Sequence, residues 1–168
     1  MRLLALIGAL AIIGAIGAAI FFFGGFYSVA EVEETGVVAW ALESVRAASV
    51  ARHASEAAPT SLDDPATVQA GARAYATIGC VNCHGGPGVG WAKFSEGLQP
   101  VPADLKKMAT ERAPSELFWV VKNGVKMTGM PSFGAAGAPD QQIWTIVAFI
   151  RKLPSLSEAD YKTWTAAP

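Results

Sequence analysis

Two cysteines three positions apart, Cys80 and Cys83, are followed at once by a histidine, His84. Thiols at this spacing at a helix end can each reach one vinyl group of a porphyrin and form thioethers. The adjacent imidazole then meets the iron from one face. Cys80-Val81-Asn82-Cys83-His84 is therefore read as the attachment motif of one covalent haem c, with His84 as proximal iron ligand. The chain has two cysteines in all, too few for a disulfide scaffold. A structural zinc site would need four ligands, and beyond these three only His53 offers a further nitrogen or sulfur. A thioredoxin-like redox pair would need a βαβ setting that the pattern does not provide.

A second axial ligand is sought among the four methionines, because a thioether closes the coordination sphere and raises the potential of haem iron. Met1 lies in an apolar N-terminal run, and Met108 lies in a polar stretch with Lys106, Lys107 and Thr110. Met127 and Met130 remain. Met130 is preferred as distal ligand, since Gly129 and Pro131 favour an extended turn that lets backbone approach the haem plane. Met127 is read as a packing residue.

The elements that must position these groups read as helices. Asp63 or Asp64 caps a helix starting at Pro65, a residue favoured at the first helical position, and running to about Thr77. A second spans Pro114 to Asn123, with Gly124 as its stop. A third runs from about Pro139 to Leu153, with Ile143, Val147 and Ile150 on one face, Trp144 alongside and Pro154 at its end. No alternating strand pattern of any length appears. The expected fold is all-α, with long loops that need a cofactor to wrap around.

Upstream lies a different kind of segment. Residues 3–23 carry no charged or strongly polar side chain, and about 20 such residues cross the roughly 30 Å hydrocarbon core. This run is longer than the apolar part of a secretory signal, although Ser28-Val29-Ala30 resembles a cleavage site. Residues 1–30 are therefore read as an uncleaved transmembrane anchor, with Phe26 and Tyr27 at the interface. Arg2 before the run and Glu31, Glu33 and Glu34 after it place the N-terminus in the cytoplasm and the rest outside. Small residues, among them Gly8, Gly14, Gly17, Ala11, Ala15 and Ala18, would let another membrane helix approach closely.

Residues 31–62 form the next expected unit, an amphipathic helix and a linker. Thr35 can cap a helix from about Gly36 to His53. Its apolar stripe is Val37, Trp40, Ala41, Val45, Ala48 and Ala51, with Glu43 and Arg46 on the far side and Arg52 at the flank. Three roles stay open for it: lying on the membrane, packing on the downstream domain, or docking to another subunit. Residues 54–62 read as linker, and 63–168 as the haem domain. From Leu62 onward there are ten Lys and Arg against nine Asp and Glu, and the whole chain carries −1. Nothing in that balance points to nucleic acid, and any charge steering of a partner must be local.

With these residues on the page, the stretch from Asp64 to Pro154 resembles class I cytochromes c. Gly71 and Tyr75 match the small and aromatic pair of that family's N-terminal helix. Trp144 and Phe149 match the aromatic-bearing helix that crosses it, and Met130-Pro131 matches the ligand loop. Tyr27 to Ala30, the Trp- and Arg-containing helix and Glu116 to Gly124 are similar to a bacterial membrane-anchored monohaem subgroup. The resemblance implies a proline carbonyl bonded to the ligand histidine, for which Pro87, Pro100 and Pro102 all stand open. Trp91 and Trp119 could donate to haem propionates or serve as core aromatics. It implies electron transfer between redox partner proteins rather than catalysis, without a small-molecule substrate. The expected place is the outer face of a bacterial inner membrane, within a respiratory complex. The competing reading is a haem sensor or enzyme with an open iron position, and a third is an assembly subunit whose haem only stabilises it.

Overall fold

The computed structural model of the chain describes residues 1–27 and 36–166. The readings placed on Ser28 to Ala30, on Glu31, Glu33 and Glu34, and on Thr35 as a cap fall outside the described residues. The chain divides into two compact units, Met1–Val32 and Glu33–Pro168. The first holds helix α1, Arg2–Phe23, none of whose residues is buried. Among the described residues it is the helix long and apolar enough to cross a membrane. Tyr27 folds back to place its ring 5.3 Å from that of Phe22.

The second unit is all helical, with no strand among the described residues. It contains α2 (Gly36–His53), α3 (Pro65–Thr77), α4 (Cys80–His84), α5 (Leu105–Glu111), α6 (Pro114–Asn123), α7 (Asp140–Lys152) and α8 (Glu158–Thr165), with short 3₁₀ turns at Lys93–Gly97 and Leu153–Ser155. Local chemistry sets the boundaries. The Asp64 carboxylate accepts the Thr67 amide at 2.9 Å, and Pro65 follows at the first helical position. Glu116 reaches back to the Ala113 amide at 2.9 Å, closing the first turn of α6. The third helix begins at Asp140 rather than Pro139, because Pro139 is extended and serves as its cap.

The core is the crossing of α3 and α7. At the crossing point a Cβ on Gly71 would lie 1.9 Å from the carbonyl oxygen of Thr145 and 2.9 Å from the Phe149 side chain, so only glycine permits this approach. Tyr75 and Phe149, both fully buried, then meet with ring centroids 5.0 Å apart. Ile143, Val147 and Ile150 are buried as one face, and Trp144 stacks on Phe118 at 4.1 Å. Burying a side chain such as Phe149 contributes about 2–3 kcal/mol.

Helix α2 turns a different side inward from the one its periodicity suggests. Val37, Trp40 and Val45 are exposed, whereas Val50 is buried and the His53 ring stacks on Trp119 of α6 at 5.9 Å. Apolar residues occur on both sides of this alanine-rich helix. The stripe with the larger side chains is not the one that finds a neighbour, and periodicity alone cannot choose between them.

Candidate haem site

The Cys-x-x-Cys-His stretch forms its own short helix, α4, entered through Gly79 at φ +92 and left through Gly85 at φ +65. These left-handed corners let a five-residue helix turn sharply away from α3. The Tyr75 hydroxyl, buried on α3, donates to the Gly85 carbonyl at 2.7 Å and ties the end of α4 to the core. The Asn82 carbonyl accepts two donors from the following loop, the Ala92 amide at 2.7 Å and the Ser95 hydroxyl at 2.8 Å. Cys80 is buried and Cys83 half-buried, and both are free thiols. Burial pushes the Cys80 thiol up to about 12, the backbone hydrogen bond opposing it less strongly.

The His84 ring donates from Nδ1 to the Ala103 carbonyl at 2.9 Å, which leaves Nε2 free to meet a ligand. Burial lowers the imidazole below its ordinary range, with the Ala103 carbonyl acting in the opposite sense. The acceptor is none of Pro87, Pro100 and Pro102, the residues left open by the sequence. It is the neighbour of Pro102, fixed where the chain enters α5. Asp104 caps that helix through the amides of Lys106 and Lys107 at 2.8 and 3.4 Å, so the carbonyl just before it is rigidly aimed.

Met130 is held by a different device. Gly124 ends α6 at φ +68, and a Cβ there would lie 2.7–2.8 Å from backbone atoms of Met130, Pro131 and Ser132. The Val125 amide donates to the Met130 carbonyl at 3.1 Å. The Thr128 hydroxyl accepts the Met130 amide at 3.1 Å and donates to the Val125 carbonyl at 2.8 Å. Ser132 donates to the Lys122 carbonyl at 2.7 Å. Met127, read as a packing residue, is instead 97% exposed at φ +58, turned out by the same tight loop.

Cys80, Cys83, His84 and Met130 line one cavity of about 630 Å³. Apolar side chains dominate the rest of its wall, among them Ile78, Leu98, Leu117, Val121, Ile146 and Ile150. Met108, set aside by its polar neighbours, also reaches this wall from α5. Its lysine neighbours face outward, a division that a local polarity count misses. Trp91 and Trp119 are not on the wall: Trp91 is 45% exposed and Trp119 packs on His53. His53 donates from Nδ1 to the Ser49 carbonyl, 2.8 Å away. Among the described residues no three His, Cys, Asp or Glu side chains are grouped to hold a metal ion.

Residues 66–150, just over half of the chain, match the family described as Cytochrome C oxidase, cbb3-type, subunit III. The chain belongs to this family. It is a class I c-type cytochrome, an electron carrier by domain type, and the domain binds haem c. No curated protein and no solved structure gives a significant match to the chain. The cytochrome's cavity fits such a group chemically: two thiols, one free imidazole nitrogen and a thioether converge in an apolar enclosure of cofactor size.

Proposed function

We propose that this chain is a membrane-tethered one-electron carrier serving a respiratory assembly. One haem c, joined through Cys80 and Cys83 and ligated by His84 and Met130, supplies the ferric/ferrous couple. The observation that carries the reading is the meeting of those four side chains on a single apolar cavity. The Ala103 carbonyl stands behind His84 at the head of α5, the helix that also brings Met108 to the wall. The loop after α6 would supply the Met130 thioether. The His84 ring is held by the Ala103 carbonyl and the Met130 backbone by the Thr128 hydroxyl, so gain or loss of an electron by a haem they ligate would need little rearrangement. The apolar wall excludes water and favours the less charged reduced form, which with a methionine ligand gives a positive potential. Phe94 lines the cavity yet is 61% exposed, so a haem held there would have a route for electrons to the surface beside it.

Residues 1–30 are the anchor, 31–62 the helix and linker, and 63–168 the haem domain. The length and composition of α1 support membrane insertion, and Arg2 before it, with Glu31, Glu33 and Glu34 after it in the sequence, favours the domain on the periplasmic side of a bacterial inner membrane. The test is purification of the full chain in mild detergent. Its mass should exceed that of the bare polypeptide by one haem, and its reduced spectrum should be unaltered by carbon monoxide. A colourless protein of bare-chain mass overturns the haem assignment; a lone monomer without co-migrating subunits overturns the assembly.

A further inference from the structure

Helix α2 precedes the segment that matches the family, residues 66–150, yet it contributes to the cavity wall. Arg46, Ala47 and Val50 line the same cavity as the two cysteines and His84. Their spacing puts them on one side of the helix. That side is anchored, since Val50 is buried and His53 stacks on Trp119 one turn further on.

The charge on this wall is unusual. Within an enclosure otherwise dominated by apolar side chains, the Arg, Lys, Asp and Glu residues on the lining are Arg46, Arg112 and Glu116. Arg112 stands 3.8 Å from Glu116, and Arg46 stands 3.7 Å from the exposed Glu43, which is not on the wall. Both contacts are long, and the guanidinium groups are partly exposed, so neither ion pair holds its arginine firmly. A haem carries two propionate carboxylates, and carboxylates entering an apolar enclosure require cations or hydrogen-bond donors. Guanidinium groups receive carboxylates with matched, bidentate geometry.

We propose that α2 is part of the haem site, closing the cavity with Ala47 and Val50 and seating the haem carboxylates through Arg46, with Arg112 as second cation. The inference rests on the haem assignment above. It makes the segment before the family domain a working wall of the cofactor pocket rather than a spacer.

The test uses the full-length, haem-loaded protein and reads the midpoint potential and the haem content. A cation beside the haem favours the reduced state, so Arg46→Gln should shift the equilibrium towards ferric iron by about threefold or more. Arg46→Lys, which keeps the charge, should restore most of that shift. Arg73→Gln, which removes an exposed cation from α3 away from the cavity, should leave the potential within about twofold of the parent, the residue of long-range charge in a screened solvent. If Arg46→Gln and Arg112→Gln both retain haem with the parent's potential, the inference is overturned while the haem assignment stands. If the parent itself contains no haem, the assignment falls first. Should Arg46→Gln fail to accumulate, Arg112→Gln and Arg46→Lys decide together. A potential within about twofold of the parent's in Arg112→Gln, or one displaced by about threefold or more in Arg46→Lys despite the retained charge, refutes the charge role.

Discussion

The two sides of the cavity are built on opposite principles. On the His84 side the chemistry is contiguous: five residues form one short helix, and both thiols and the imidazole come with it. On the Met130 side a single sulfur is placed by a loop that works only because several distant contacts hold. Gly124 must take a left-handed turn, Thr128 must bridge two backbone groups, and Ser132 must bond back to α6. A local motif tolerates change in its surroundings, whereas an assembled one is as weak as its least tolerant member.

The contrast can be broken from either side. Replacing both cysteines, Cys80→Ala with Cys83→Ala, should abolish covalent attachment altogether and give a chain of bare mass by mass spectrometry. Met130→Ala should leave the haem attached but remove the weak far-red sulfur-to-iron band and admit carbon monoxide to the reduced iron, both read in the visible spectrum. Gly124→Ala sharpens the comparison, because it alters no ligand. Its positive φ and its clash with the backbone of Met130 to Ser132 should cost about 3 kcal/mol in denaturant unfolding and weaken the same far-red band. Tyr75→Phe should be the mildest. Loss of its hydrogen bond leaves the Gly85 carbonyl unpaired, costing about 2 kcal/mol with the haem still bound.

The same contrast explains what the sequence made legible. The contiguous motif, the Asp64–Pro65 start of α3 and the Gly124 stop of α6 are local signals, and the structure has α3 and α6 where these place them. Gly71, Tyr75 and Phe149 meet as the resemblance implied, while Trp144, on the same helix as Phe149, stacks on Phe118. Helices α5 and α8 went unread, though each carries a local sign: Asp104 before Leu105, and Ser157 accepting the Asp160 amide at 3.1 Å. Their brevity leaves too few turns for apolar periodicity to register. The Ala103 carbonyl could not be singled out, because a backbone acceptor has no side-chain signature. The inward side of α2 was hidden for a related reason. Its neighbour, α6, lies some sixty residues further along, and nothing in an alanine-rich helix says which stripe that neighbour will cover.

Ala103 sits at a joint. Its carbonyl steadies the imidazole, and the very next residue fastens the head of α5, a helix that rests against α7. The ring's tilt is thereby geared to the seating of that helix, so in the proposed haem site a substitution on the remote flank of α5 would be felt as a change in how strongly the imidazole pushes electron density towards the iron. Tuning of this kind leaves every ligand in place.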